Sequence, residues 1–254
     1  MDTFIQLNEL ERYGGVTALY STREACRWPS FEDKPLGDIA EADYVRAATE
    51  FGVCTDDLIR IPQVHSAKVR RIRKENAGEG IMRPVSVTGY DGMVTDEKGI
   101  VLCTVEADCV PVYLYDPVKK VIGMVHSGWK GTAGRISADA IRMMREDLGC
   151  SSSDIVAVIG PCICEKCYEV GGELKDGFLK EFSPSEVDGF FMPKENGKYL
   201  LDLKSAIKLT LIKCGIREEN ISDTNVCTFE SEDICSWRRD ADKAARMLTA
   251  IMLV

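Results

Sequence analysis

The sequence predicts a single domain of the α/β (α+β) class, built on a mixed or antiparallel sheet. Its 254 residues, 45% of them hydrophobic, are enough to bury one sizeable core. Apolar strands and amphipathic helices alternate along the chain without a repeat or a Pro/Ser-rich linker, so one domain over residues 1–254 is the simplest organisation. Strands outnumber helices, and turns join many of them in place of helical crossovers, which favours the α+β arrangement.

The first predicted elements are a helix and two short strands. Capping residues on both sides predict a helix over Ile39–Phe51, with Val45 and Ala48 on one face. Apolar residues on either side of a turn predict strands at Leu58–Val64 and Val69–Ile72.

The middle of the chain predicts buried strands and one long helix. Continuous apolar runs are typical of strands buried on both faces, and they occur at Ile100–Val105, Val110–Tyr115, Val121–Val125 and Ile155–Ile159. Apolar residues at helical spacing after Gly131–Gly134 predict a helix that Gly149 ends.

The last predicted elements are two helices and two strands. The pattern predicts helices at Gly172–Phe182 and Leu203–Cys214 and a strand at Asn225–Thr228. A final strand is predicted at Met247–Leu253, with alternating, period-2 character.

Composition and charge exclude several classes of protein. The formal net charge of −9 argues against nucleic acid or anionic membrane as a partner. No apolar run is long enough for a membrane helix, and the acidic N-terminus lacks a signal peptide, so we expect a cytoplasmic protein. The eleven cysteines are expected to be mostly buried thiols. Two histidines are too few for a multicopper oxidase, which relies on imidazole ligands.

Both histidines and one cysteine lie at the ends of predicted strands, where sites are built on rigid scaffolds. Gln63 and His65 end one strand, Cys109 lies between two, and His126 ends another. Two imidazoles and a thiolate are a set that catalytic zinc accepts, with a fourth position left open. Asp108 beside the thiol is a candidate acceptor that orients an imidazole. On spacing alone, hydrogen-bonded structural histidines and an inert cysteine are the commoner arrangement.

Two further segments are candidates for anion binding. Ser127–Gly131 resembles a glycine-rich helix start, where backbone N–H groups and Lys130 could hold an anion. Trp129 in that segment could stack on a planar base or simply pack in the core. Arg238 and Arg239 could form an oxyanion clamp or a salt-bridged edge.

A third segment is rich in cysteine. Cys162, Cys164 and Cys167 have a C-x-C-x₂-C spacing that could bind a metal. A structural zinc needs four donors, and no partner lies nearby in sequence, so we interpret the segment as a turn of small residues.

Five motifs, in order, resemble one family. They are QVHSAKV, TVEADCVPV, VHSGWKGTAGRI, IGPCICEKCYEVG and CTFESEDICSWRRD, between residues 63 and 254. The chain is similar in these motifs to the YfiH-like proteins, formerly called laccase-domain or polyphenol oxidase proteins. Members of this family are regarded as purine nucleoside phosphorylases with adenosine deaminase activity.

The resemblance implies a fold, a reaction and a metal. The fold is a sandwich of two mixed sheets flanked by helices, similar to the catalytic domain of cytotoxic necrotizing factor. The reaction is phosphorolysis of adenosine, inosine, guanosine or methylthioadenosine to the base and ribose 1-phosphate, beside deamination of adenosine. The metal is zinc, ahead of copper, on His65, Cys109 and His126. We expect a monomer or a weak homodimer.

The resemblance also implies residues around the metal. Arg23 lies in a matching Ser-Thr-Arg motif and is a catalytic candidate with Cys109, His126 and Asp108. Arg46 is an approximate counterpart of a family arginine and, with Gln63, Trp129 and Lys130, is a substrate-binding candidate. Residues 24–38 depart from the family pattern, so substrate contacts there are expected to differ.

Three other functions remain open from the sequence. Cys109 with His126 could be the nucleophile and base of a hydrolase. Copper-dependent phenol oxidation, the older family label, is disfavoured by the two histidines. A binding protein that keeps the metal for stability is the third.

Overall fold

The structure is a computed structural model, and it describes residues 3–25, 38–243 and 245–254. Most of the segment that departs from the resembled family, residues 26–37, lies outside these ranges. In chain order the strands are β1 (Phe4–Gln6), β2 (Val16–Ser21), β3 (Leu58–Arg60), β4 (Val69–Arg71), β5 (Gly92–Thr95), β6 (Val101–Glu106), β7 (Val110–Asp116), β8 (Val121–Ser127), β9 (Val156–Ile159), β10 (Glu169–Val170), β11 (Phe191–Pro193), β12 (Tyr199–Leu201), β13 (Ile221–Asp223) and β14 (Met247–Leu253). The helices are α1 (Asn8–Glu11), α2 (Asp38–Phe51), α3 (Trp129–Ala133), α4 (Ile136–Glu146), α5 (Lys175–Phe178), α6 (Pro184–Phe190), α7 (Leu203–Lys213) and α8 (Trp237–Asp240).

Two large mixed sheets form the centre of the fold. The five-stranded sheet has the order β1-β2-β14-β6-β3 and is antiparallel except between β3 and β6. The six-stranded sheet has the order β13-β9-β7-β8-β5-β4, with parallel pairs only at its two edges. A small antiparallel sheet has the order β10-β12-β11. The predicted class, two mixed sheets flanked by helices, is confirmed.

Both faces of the central strands are buried, and this explains their continuous apolar sequences. In β7, Tyr113 and Tyr115 belong to the core between the two sheets. Val112 and Leu114, on the opposite face, pack in a second core with residues of α4 and α7. A third core joins the outer face of the five-stranded sheet to Tyr44 and its neighbours on α2. The layers therefore run helix, sheet, sheet, helices.

The same burial corrects the predicted pattern of the last strand. Met247–Leu253 is a strand with the predicted limits, but each of its residues is buried, so it has no polar face and no period-2 alternation. In the predicted first helix, Ala48 packs in the core while Val45 is 49% exposed, so the two do not share the buried face.

Three predicted elements are shorter than expected for local reasons. The strand from Leu58 ends at Arg60, because beyond it the Gln63 side chain, and not the backbone, bonds to the adjacent strand. The helix after Gly131 is two helices, separated at Arg135, whose φ is +56°. The predicted helix Gly172–Phe182 is a 3₁₀ turn followed by α5, where the Phe178 ring packs on other phenylalanines.

The predicted strand Asn225–Thr228 is wrong, and the strand β13 lies just before it. Asn225 has a φ of +56°, and its N–H donates to the Asp223 carboxylate at 2.7 Å. This turn ends the strand. In the described part of the chain, no helix is long and apolar enough to cross a membrane.

Candidate active site

Two crossings between the large sheets bring His65 and Cys109 together. His65 lies between β3 of one sheet and β4 of the other, and Cys109 lies in the short connection from β6 to β7. Because β3 and β6 are parallel neighbours, both crossings leave the five-stranded sheet at the same end. His65 and Asp108 have φ values of +60° and +88°, a left-handed backbone that is uncommon outside glycine and concentrated at functional sites.

Strand register brings the third residue, His126, to the same place. In the β7–β8 pair Pro111 lies opposite His126 and Val110 opposite Ser127, so Cys109 lies beside residues 127 and 128. Gly128 makes this approach feasible. A Cβ atom there would lie 2.8 Å from Cys109 Sγ and 3.0 Å from His65 Cδ2.

The donor atoms of His65, Cys109 and His126 all lie within 4.8 Å of one another. Cys109 Sγ is 4.0 Å from His65 Nε2, and the two imidazole rings meet edge to face at 5.0 Å. In tetrahedral zinc sites the separation between neighbouring donors is about 3.4–3.6 Å, so small movements would complete such a set. His65 is exposed and His126 is buried, which leaves one side of the group open to a ligand. The donor set fits catalytic zinc.

The buried carboxylate of Asp91 accepts hydrogen bonds that hold His65 and His126 in position. Its Oδ1 accepts hydrogen bonds from the backbone N–H of His65 at 2.8 Å and from His126 Nδ1 at 2.9 Å. Its Oδ2 accepts from the N–H groups of Ser66 at 2.6 Å and Val64 at 3.2 Å. Burial alone would raise the pKa of Asp91, but the His126 and Ser66 hydrogen bonds lower it. The carboxylate thus fixes the His65 loop and leaves Nε2 of His126 to face Cys109.

Cys109 and His126 each favour the charged form of the other. Burial opposes ionisation of the thiol, but the nearby His126 lowers the pKa of Cys109 to about 6. Burial likewise opposes the imidazolium, while Cys109 and Asp91 raise the pKa of His126 to about 10. The thiol is therefore prepared to act as a thiolate, which is the form that binds metal or attacks carbonyl carbon.

Glu106 is a further buried acid behind the site. Burial raises the pKa of Glu106 to about 7, against the opposing effect of His126. One oxygen accepts from Thr249 Oγ1 at 2.7 Å, and the other, Oε1, is buried without a hydrogen-bond partner. Glu106 is thus the titratable group that burial sets near neutral pH beside the metal donors.

A cavity of about 630 Å³ opens over the three donors. Its described lining residues include three aromatic residues, Trp129, Tyr168 and Trp237, and three arginines, Arg60, Arg238 and Arg246. The one carboxylate among the described lining residues, Asp108, accepts from Thr228 Oγ1 and from the backbone N–H of Arg238, each at 2.6 Å. The cavity is therefore cationic within an acidic protein, and flat rings line it.

Some of the predicted site residues line the cavity, but the side chains of two of them bond to other parts of the protein. Gln63 lines it, yet its amide is held by the backbone N–H and C=O of Val105. Asp108 was the predicted partner of an imidazole. In the structure, Asp91 and not Asp108 bonds to the imidazole of His126. The two carboxylate oxygens of Asp108 instead accept hydrogen bonds from Thr228 and from the backbone of Arg238.

Three predicted cations lie elsewhere. Arg23, Arg46 and Lys130 are not among the described residues that line the cavity. Arg23 pairs with Asp240 at 3.3 Å, and Arg46 pairs with Asp43 on its own helix. Lys130 is exposed, with Nζ 5.6 Å from the centre of the Trp129 ring, and Trp129 itself lines the cavity.

Sequence reasoning missed Asp91, Arg60, Arg246 and Trp237. Asp91 directly precedes the glycine that begins β5, so a strand-start signal there could have identified it. Arg60 is buried in β3, and Arg246 lies near the C-terminus, 5.4 Å from the Trp237 ring centre. No local motif relates these positions to the donors. Of the Arg238–Arg239 pair, only Arg238 lines the cavity, because Arg239 donates to backbone carbonyls.

Comparisons with known proteins identify one protein family. Residues 14–254 match the family described as "Multi-copper polyphenol oxidoreductase laccase". The chain is 34% identical over 222 residues to "Purine nucleoside phosphorylase YlmD" of Bacillus subtilis, covering 86% of this chain and 78% of the relative. It is 32% identical over 210 residues to "Adenosine deaminase RL5" of an unknown prokaryotic organism, covering 80% and 78%.

Solved structures share the whole architecture. The Bacillus licheniformis hypothetical protein YfiH superposes with a TM-score of 0.89 at 29% identity, covering 96% of this chain and 95% of that one. YlmD from Geobacillus stearothermophilus superposes with a TM-score of 0.86 at 28% identity, covering 100% and 99%.

Proposed function

Since the chain belongs to the enzyme family described as multi-copper polyphenol oxidoreductase laccase, we propose that it is a purine nucleoside phosphorylase that also deaminates adenosine. The observation that supports this most is the cavity, where three metal donors, three arginines and three aromatic rings converge. Relatives of similar length carry the names of these two activities.

The proposed metal is zinc, held by His65, Cys109 and His126. Two imidazoles and a thiolate suit it, and the exposed side of the group leaves a position for substrate. A zinc ion bound there supplies Lewis acidity toward a polar atom of the substrate. Copper also binds such ligands, but two imidazoles cannot build the several sites of a multicopper oxidase.

In phosphorolysis, a phosphate oxygen bonds to C1′ of the ribose as the bond from C1′ to the base nitrogen breaks. The guanidinium groups of Arg238 and Arg246 bind and orient the phosphate, because among the described arginines of the lining Arg238 is exposed and Arg246 half-buried, whereas Arg60 is buried. Asp108 acts as a positioning residue, since its carboxylate accepts from the backbone N–H of Arg238. In deamination, water adds at C6 of adenosine and ammonia leaves.

The flat rings fit the base. Trp237 is 47% exposed at the cavity and Tyr168 lines the same space, with the Arg238 guanidinium 5.1 Å from the Tyr168 ring centre. A purine stacked on either ring would lie near the arginine that binds phosphate. The base and the anion would then share one cavity with the candidate metal donors.

The test supplies zinc-loaded protein with inosine or adenosine, with and without inorganic phosphate. We expect free base and ribose 1-phosphate only when phosphate is present, and inosine from adenosine in either case. Cys109→Ser should abolish both reactions, and Cys214→Ser, a half-buried cysteine outside the cavity, should leave both unchanged. Absence of all these products from wild-type protein with bound zinc would refute the proposal.

A second function has one specific observation in its favour. Asp91, His126 and Cys109 form a chain of acid, imidazole and low-pKa thiol, which is the arrangement of a cysteine hydrolase. The exposed His65 beside the thiol has no role in that chemistry. Stoichiometric alkylation of Cys109 in active, metal-free protein would favour the hydrolase, whereas zinc lost with Cys109→Ser would favour the metal enzyme.

The remaining predictions from the sequence concern domain organisation, location, oligomeric state and partners. We propose one domain over residues 1–254, a cytoplasmic location, and a monomer or weak homodimer that binds neither nucleic acid nor membranes. The net charge of −9 supports the last of these.

A further inference from the structure

A second group of metal-binding side chains lies outside the cavity. Cys164, Cys167, Cys227 and Glu230 have donor atoms that all lie within 4.8 Å of one another. None of the four is among the described residues that line the cavity, so the proposed reaction does not use them. We propose that these four side chains bind a structural zinc ion.

Two matching turns supply the donors. After Cys164–Cys167, the N–H of Tyr168 donates to the Cys164 carbonyl at 3.1 Å, which closes a tight turn. In Cys227–Glu230, the N–H of Ser231 donates to the Cys227 carbonyl at 2.9 Å. Each turn places its first and fourth side chains on one side, as in the C-x₂-C turns of structural zinc sites.

Backbone pairing holds the two turns against each other, although 63 residues separate Cys164 from Cys227. The N–H of Cys162 donates to the carbonyl of Val226 at 3.2 Å, and the N–H of Thr228 donates to the carbonyl of Cys162 at 3.0 Å. The N–H of Cys164 points at Cys227 Sγ at 3.4 Å, and Cys167 Sγ is 3.5 Å from Glu230 Oε1. An N–H aimed at sulfur stabilises the thiolate that a metal requires.

The chemistry of the donors selects the ion and its role. Three thiolates favour a soft or borderline cation such as Zn²⁺ over Mg²⁺ or Ca²⁺, which take oxygen ligands. Four protein donors fill a tetrahedral shell, and such closed sites are structural. The His65–Cys109–His126 group has three donors and an open side, so the two sites differ in both composition and use.

The position of the cluster shows what the ion would stabilise. The residues next to the first turn, Ile163 and Tyr168, both line the cavity. Within the second turn, Thr228 Oγ1 donates to the Asp108 carboxylate at 2.6 Å, and the Thr228 carbonyl accepts from Arg239 Nη1 at 2.8 Å. An ion joining the two turns would fix a wall of the active site without touching substrate.

The experiment counts zinc in the full-length chain with each site removed separately. We expect about two zinc ions per chain in the wild type and about one in Cys109→Ser, Cys164→Ser or Cys227→Ser. Cys214→Ser is the matched control, a half-buried cysteine outside both groups that should keep both ions. Cobalt in place of zinc should give strong sulfur-to-metal charge-transfer absorption in Cys109→Ser, where only the cluster supplies thiolates.

The outcomes separate this proposal from the proposed function. If Cys109→Ser retains one zinc, which Cys227→Ser removes in that background, the cluster binds zinc whatever the enzyme does. Chelation of Cys109→Ser should then lower its Tm by about 10 °C, the loss expected when a ligand at about a thousand times its Kd is withdrawn. A Cys109→Ser protein without zinc, or a disulfide among these cysteines in fresh protein, would overturn the proposal.

Glu230 provides a test that does not depend on removing a half-buried thiol. It is exposed, so Glu230→Gln should fold normally, yet it should weaken zinc binding at the cluster at least about tenfold. Glu230→Cys adds a fourth thiolate and should restore or tighten binding, which a misfolded protein would not do. Equal zinc affinity in wild type, Glu230→Gln and Glu230→Cys would contradict the assignment of Glu230 as a ligand.

Discussion

Replacing Gly128 with alanine perturbs the candidate metal site with little effect on the backbone. Gly128 has φ −71° and ψ 176°, an extended conformation that alanine adopts without strain. Its neighbours are site residues, since an added Cβ would lie 2.8 Å from Cys109 Sγ and 3.0 Å from His65 Cδ2. The added methyl group therefore acts on the donors and not on the fold.

The size of the effect follows from these distances. Non-bonded carbon and sulfur atoms are comfortable near ~3.5–4.0 Å, so the thiol must retreat by about 1 Å. Metal–ligand distances in proteins hold to within about 0.2 Å, so this displacement removes the thiolate from the donor set. We expect Gly128→Ala to bind zinc at this site at least ~100-fold more weakly, since loss of an outer partner alone costs ~10–100-fold.

The assay measures zinc content, phosphorolysis and thermal unfolding on the same samples. Gly128→Ala should lose the zinc of this site and the activity together, while Tm changes by a few degrees. Gly189→Ala is the control, because a Cβ at Gly189 in α6 meets open space, and it should match the wild type. Full zinc and full activity in Gly128→Ala would refute the assignment of Cys109 and His65 as donors.

Three other changes test neighbouring parts of the account. Asp91→Asn should weaken zinc binding and lower activity ~10–100-fold, because an amide has one acceptor oxygen where the carboxylate has two. It cannot accept both from His65 and His126, which now bond to Oδ1, and from the N–H groups of Ser66 and Val64, which now bond to Oδ2. Arg238→Ala should raise the KM for phosphate about tenfold or more, as expected for a lost charge-assisted hydrogen bond. Burial opposes ionisation of Glu79, but the ion pair with Arg70 lowers the pKa of Glu79 to about 2. The ionised Glu79 therefore stabilises the folded state by about 3 kcal/mol above about pH 4.3, and this contribution is lost as the pH falls toward 2. Glu79→Gln should therefore flatten the acid limb of a urea-unfolding series.

Each of these predictions has a control and a contradicting result. Asp139→Asn removes a carboxylate that also accepts a backbone N–H, from Val69, but lies outside the site, so it should leave zinc bound. If Asp91→Asn behaves like Asp139→Asn, the orienting role is wrong. An unchanged KM for phosphate in Arg238→Ala would remove that arginine from the phosphate site. For the acid limb, Glu75→Gln, at an exposed position in the preceding 3₁₀ turn, should match the wild type, and an equally steep limb in Glu79→Gln would contradict the ion-pair account.

Several central strands and the three candidate metal donors could be predicted from the sequence for one physical reason. Strands buried on both faces leave long apolar runs, and the polar residues at their ends are conspicuous against them. Cys109 lies in the short connection after β6 and directly precedes β7, and His126 lies near the end of β8. The edge strands β1 and β13 lack such runs and were missed or displaced, and the interior strands β2 and β5 were also not predicted.

The rest of the site could not be predicted because side chains from distant segments complete it. Asp91 meets His126 across 35 residues, and Cys227 meets Cys164 across 63. Local spacing around Cys164 suggested too few donors for a metal, and only the pairing of Cys162 with Cys227 supplies the second turn. The choice of Asp108 as the orienting acid failed for the same reason, since adjacency in sequence does not fix the direction of a carboxylate.

The most direct test of the central claim is anomalous diffraction at the zinc edge from crystals of the purified protein. The account predicts a peak about 2.3 Å from Cys109 Sγ and about 2.0–2.1 Å from Nε2 of His65 and of His126. A zinc-loaded crystal with no peak among these three side chains, while the protein still cleaves nucleosides, would contradict it.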